Sequence, residues 1–129
     1  MLKTIIHNSD LHFEHRNWTA ELRFWEDELR TFNHRLEDLV SRYTDITFLK
    51  RLEHYQNEIR LHEIRILDLL EDIEKHEARI AGQTRSGGAE YMDITMVNAH
   101  RTTREKMETE RDVYADFKKE FFAFLTEYM

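Results

Sequence analysis

Three histidines lie on helical seams: His15 and His76 at positions where the surrounding pattern otherwise places hydrocarbon, and His100 on a third seam that is polar through its first half. Imidazole binds metal ions readily and takes up protons near neutral pH, so three of them on buried seams invite a chemical reading. His12 lies three residues before His15 on the same helical face, and Glu14, Asp72, Glu74 and Glu77 flank the same seams. Neutral imidazole nitrogen and carboxylate oxygen together suit Zn²⁺, Fe²⁺ or Ni²⁺. The simpler alternative is packing: histidine is half apolar, and its ring can be buried while one nitrogen reaches water or a carboxylate. No metal motif decides between them. No histidine has a glutamate three residues before it, as a ferritin-like di-iron site requires, and neither His-x-x-x-His nor His-Glu-x-x-His occurs.

Other chemistry finds less support. Zero cysteines exclude disulfides, thiolate metal sites and a cysteine nucleophile. Ser9, Ser41 and Ser86 fall in expected caps or turns without a glycine elbow, and there is no phosphate-cradling glycine loop. No catalytic residues are expected. Trp18 and Trp25, seven residues apart, read as core anchors rather than walls of a cofactor pocket. A further histidine, His62, should fall opposite Met107 and Glu110, where a buried His62–Glu110 hydrogen bond would fix helix register; an outward-pointing Glu110 with His62 packed alone is the other possibility.

The elements that carry these residues are helices. The 129 residues contain no proline and three glycines, all between Gly82 and Gly88. Little else interrupts helical propensity. Asn8, Ser9 and Asp10 offer N-caps for a first helix, and Thr44 or Asp45 for a second. The expected helices are about 10–43, 46–81 and 90–128, with a glycine-rich turn at 82–89, in one domain spanning 1–129. Steps of three and four define a seam in each. Helix one reads Leu11, His15, Trp18, Leu22, Trp25, Leu29, Phe32, Leu36, Leu39, Tyr43. Helix two reads Phe48, Leu52, Tyr55, Ile59, His62, Ile66, Leu69, Ile73, His76, Ile80, broadened by Leu49, Leu67 and Leu70. Helix three runs from Asp93 through Met96, His100, Thr103, Met107 and Glu110 to an aromatic end at Tyr114, Phe117, Phe121, Phe124 and Tyr128. In the first two helices every departure from apolar character is a histidine.

Short connections make neighbours antiparallel, so the fold class is all-α, an up-down-up coiled-coil-like three-helix bundle. In outline it resembles a spectrin-type repeat, a long three-helix coiled coil with tryptophan on its first helix; the likeness is one of shape and implies no function. Pairing across the turns puts Phe and Leu side chains at one end and brings His15, His76 and His100 toward the other, wetter end. Glu14, Glu21 and Glu28 recur every seven residues beside the first seam, a flank pattern that pairs with Lys or Arg on a neighbouring helix.

A net charge of −7 repels phosphate backbones, and the basic run Arg101, Arg104, Lys106 is interleaved with Glu105, Glu108 and Glu110. Nucleic acid is not an expected partner. No apolar run approaches the ~20 residues a bilayer requires, and Met1–Ile6 lacks the core of a secretory signal, so a cytoplasmic location is expected. Leftover apolar residues Phe24, Leu61, Ile64 and Phe122 leave open a homodimer as well as a monomer. The leading expectation is a non-enzymatic, acidic helical bundle that binds a protein partner or itself, with no cofactor. The other is a small metal-binding bundle of storage, sensing or stress type. Its ligands would be His15, His76 and His100, with His12, Glu14, Glu74 or Glu77 nearby.

Overall fold

The computed structural model describes residues 8–85 and 94–129, which form α1 (Asn8–Val40), α2 (Ile46–Arg85) and α3 (Ile94–Tyr128). It is an all-α three-helix bundle. His15 meets Glu77 across α1 and α2, and His62 meets Glu110 across α2 and α3, so consecutive helices are antiparallel. Between α1 and α3, three hydrogen-bonded ion pairs join residues 90 apart: Glu14 with Arg104, Glu21 with Arg111, and Glu28 with Lys118. The seven-residue spacing of the glutamates is matched by an equal spacing of cations, which fixes α1 and α3 as parallel and in step.

The expected seam of α1 is buried from Leu11 to Leu39, with only Tyr43 left half-buried in the turn. That turn starts earlier than the periodicity suggests. The Ser41 hydroxyl donates to the Asp38 carbonyl, and the Arg42 and Tyr43 amides both converge on the Leu39 carbonyl, which closes the helix after Val40. Asp45 then caps α2, its carboxylate accepting from the Phe48 amide at 3.0 Å. At the other end of α1, Asn8, Ser9 and Asp10 lie inside the first turn rather than ahead of it. Helix α2 runs through Gly82 to Arg85 rather than ending at 81. One glycine costs about 0.5–1 kcal/mol relative to alanine, too little to stop a helix of this length. The remainder of the glycine-rich turn, the expected start of the third helix and Asp93 lie outside the described residues.

The core divides in two. A large cluster from Trp18 to Leu125 fills most of the bundle, and its far end is aromatic, with Phe48, Phe121 and Phe124 almost fully buried. Each such side chain contributes about 1.5–3 kcal/mol before conformational entropy opposes it. Tyr43 closes this end by donating to the Tyr128 carbonyl at 2.8 Å. A second, small cluster of Leu11, Met96 and Val97, with Ile80 against it, caps the opposite end. Phe24, Leu61, Ile64 and Phe122 remain exposed, and so does Leu67, which does not broaden the α2 seam as its position suggests.

Candidate metal centre

Between the two apolar clusters lies one polar layer, built by one histidine from each helix. His15 on α1 and His100 on α3 are each 1% exposed, and His76 on α2 is half-buried. The ring centroids of His15 lie 4.9 Å from His100 and 5.7 Å from His76, and His76 lies 6.5 Å from His100. Each ring offers a nitrogen, and the three nitrogens fall within 4.8 Å of one another. Among the described residues this is the one such group of three histidine, cysteine or carboxylate side chains. The layer is internal rather than at the wetter extremity, because Leu11, Met96 and Val97 cover it from the end while Trp18 stacks on His100 at 5.0 Å from the core side.

The carboxylates stand behind the imidazoles, not beside the converging nitrogens. Glu77 accepts from His15 Nδ1 at 2.7 Å and from His12 Nδ1 at 2.5 Å. Glu14 accepts from His100 Nε2 at 2.6 Å and from Arg104 through both Nε, at 3.1 Å, and Nη2, at 2.7 Å. Burial pulls the Glu14 carboxyl upward, but the Arg104 and His100 hydrogen bonds outweigh it and hold the group below the usual carboxylate range. Burial raises Glu77 likewise, and its bonds from His15 and His12 outweigh that and leave it below the usual carboxylate range. Both are therefore ionised at neutral pH and only accept hydrogen bonds.

The two carboxylates constrain the tautomers that neutral rings can take. A neutral imidazole has one N–H, and His15 commits its own to Glu77 through Nδ1 while His100 commits its own to Glu14 through Nε2. The remaining nitrogens, His15 Nε2 and His100 Nδ1, are then both acceptors, and they face each other at 3.1 Å. His76 Nδ1 is also buried without a hydrogen-bond partner. With both rings neutral, lone pairs aimed at one another in a water-poor layer are an unfavourable contact, which a proton on either ring or a metal ion between them would relieve. Burial pushes His76 and His100 below the ordinary imidazole value of 6.5; at His76 the neighbouring His15 and His100 push the same way, and at His100 the Glu14 hydrogen bond only partly offsets it.

These depressed values make a pH prediction. His76 and His100 take up protons at about pH 6.5 in the unfolded chain and only below it in the folded one, so their contribution to stability is full above that value and declines as pH falls through it toward the folded values. Glu14 and Glu77 add their own loss only below about pH 4.5. Chelator-treated protein should melt at a lower temperature at pH 5 than at pH 8, and an equal or higher midpoint at pH 5 would contradict the neutral, buried assignment.

Of the expected ligands, then, the structure brings His15, His76 and His100 together. It assigns Glu14 and Glu77 to their outer nitrogens and puts His12 outside the layer on Glu77. Glu74 is exposed and takes no part in the layer. Asp72 pairs with Lys106 at 3.2 Å instead. Arg104, which holds Glu14 in place, was not anticipated as part of the site, although its spacing with Arg111 and Lys118 repeats that of the three glutamates. Trp18 and Trp25 are core residues, each 5% exposed. The chain matches no known family model, no curated protein and no solved structure, so its likeness to a spectrin-type repeat goes no further than the order and direction of three helices.

Proposed function

We propose that this protein is a non-enzymatic helical module whose three helices are clamped together at one end by a divalent transition-metal ion, Zn²⁺, Fe²⁺ or Ni²⁺, held by His15, His76 and His100. The observation that carries the reading is the pair of acceptor nitrogens facing each other at 3.1 Å. Two imidazoles on a tetrahedral ion with bonds of 2.0–2.1 Å have nitrogens about 3.3 Å apart, so His15 and His100 already have the spacing, while their rings must turn and His76 must close in from within 4.8 Å. Three imidazoles without a thiolate suit borderline ions, whereas Ca²⁺ and Mg²⁺ prefer oxygen. Glu77 on His15 and Glu14 on His100 are the carboxylates that such ligands generally carry on their other nitrogen, orienting the ring and raising its basicity.

An ion held by one residue from each helix ties the ends of all three, because binding only the folded arrangement adds its affinity to stability. No helix among the described residues is long and apolar enough to cross a membrane. As a structural module the protein would act on a protein partner or a second copy of itself, and Phe24, Leu61, Ile64 and Phe122 are apolar side chains left for such contact.

Calorimetric titration of the chelator-treated protein with each ion tests the proposal. The expected result is one ion per chain, bound tighter than micromolar by at least one of the three. Nothing tighter than millimolar for any of them overturns it. Glu77→Gln should weaken binding about 10–100-fold without abolishing it, the usual cost of removing an outer partner. An unchanged affinity would show that Glu77 does not act through His15.

A further inference from the structure

A clamp two of whose three histidines are almost fully buried needs a path by which an ion reaches them. His15 and His100 are each 1% exposed, so a hydrated ion does not meet their free nitrogens from solvent. The end of the bundle is covered by Leu11, Met96 and Val97. The α1/α3 side is closed by the two-pronged Arg104–Glu14 pair. On the α1/α2 side the situation differs. A groove of about 300 Å³ is lined by His15, Arg16, Thr19, Ala20, Ile73 and Glu77, and His12, whose side chain is 53% exposed, bonds the Glu77 carboxylate from outside that lining. The two carboxylates behind the histidines are thus held unequally: Glu14 by a guanidinium, Glu77 by an exposed imidazole that can itself bind a metal ion.

Resting on the metal-binding reading of the trio, we infer that His12 and Glu77 form its entrance, an outer capture pair that takes a divalent ion from the α1/α2 groove and passes it inward. The His12 imidazole and the Glu77 carboxylate together are a nitrogen and oxygen donor set for the same ions as the trio. An arriving ion takes the place of the hydrogen bond between them: the His12 Nδ1 proton is released to water while Nε2 takes one up, so the imidazole keeps one N–H as Nδ1 binds the ion. Engaging Glu77 releases His15 Nδ1, and the ring is then free to turn about its Cβ–Cγ bond and receive the ion on its way to His100 and His76. His12 stays outside and contributes nothing to the final coordination. It therefore speeds arrival and departure alike and leaves the equilibrium unchanged.

The kinetics separate this from a permanent role. Trp18 is stacked on His100, so its fluorescence reports occupancy when Ni²⁺ is mixed with the protein and when a chelator strips it. In the His12→Ala variant, association and dissociation should both slow by about tenfold or more while the dissociation constant stays within about twofold, the scale on which local charge and donor groups alter capture rates. His12→Asp, which supplies a different donor at the same position, should restore fast exchange. Unchanged rates in His12→Ala overturn the proposal and direct entry past half-buried His76. Faster dissociation at unchanged association overturns it too, by making His12 a ligand, and so does failure of His12→Asp to restore exchange. If the wild-type protein binds no Ni²⁺, Zn²⁺ or Fe²⁺, the clamp itself is wrong and the entrance falls with it, a result distinct from any change confined to His12 variants.

Discussion

His76→Ala should bind Zn²⁺ more than about 100-fold more weakly than the wild-type protein and still fold, since removing an outer carboxylate alone costs about 10–100-fold and a lost ligand costs more. His76 is the informative member of the trio. It is half-buried, and its Nδ1 has no hydrogen-bond partner, so truncation leaves no other group stranded. His15→Ala or His100→Ala would each open a buried cavity and leave Glu77 or Glu14 without its histidine, which confounds loss of metal with loss of fold. The same comparison can be read as stability. With free ion at 100 times the dissociation constant, the wild-type protein gains about 2.7 kcal/mol, roughly 10 °C in midpoint for a chain of this size, and His76→Ala gains almost none. Equal Zn²⁺-dependent shifts in the two proteins would remove His76 from the site.

The second large effect is expected in mid-bundle, where His62 and Glu110 face each other inside the core. His62 Nδ1 donates to Glu110 Oε2 at 2.6 Å; the residues are 0% and 4% exposed. Arg65 approaches the other carboxylate oxygen only to 3.8 Å, and His62 Nε2 is buried with no partner. Polar groups taken this far from water stabilise weakly when paired and destabilise strongly when separated. His62→Leu should therefore cost about 3–5 kcal/mol in urea denaturation, because it leaves Glu110 buried without its hydrogen bond and with only the distant Arg65 beside it. Replacing both, His62→Leu with Glu110→Met, should recover most of that loss and bring stability to within about 1 kcal/mol of wild type or above it. If the double variant is as unstable as the single one, the pair is not the source of the cost. What the pair supplies is a unique register. It is a polar contact between α2 and α3 that a shift of one turn would break, whereas the neighbouring Ile, Met and Phe contacts tolerate sliding.

This pair also shows where reading residues in order stops being enough. The seam placed His62 opposite Glu110, yet two outcomes were open, a hydrogen bond or an outward carboxylate, because a small rotation of α3 interchanges them. A heptad specifies which edge of a helix is buried, not its angle to within the tens of degrees that decide a hydrogen bond. The Arg104, Arg111 and Lys118 contacts on α1 help set that angle in the folded protein. Glu74 and Glu77 make the same point at the candidate centre. Each follows a seam residue by one position, Ile73 and His76, and their pattern is equivalent. Only Glu77 finds imidazoles across the α1/α2 groove, and Glu74 is left in solvent.

The amino-acid order alone determined that the chain folds as three long helices, which edges they bury, and that each seam carries an imidazole, since these follow from periodicity, turn chemistry and the absence of proline. Tertiary structure decided the rest. It sandwiched the histidine layer between two apolar clusters, set Glu14 and Glu77 behind the rings, and so turned two acceptor nitrogens toward each other. Those features depend on side-chain rotation and on partners some 60 to 90 residues away, and neither is encoded in the spacing of any one helix.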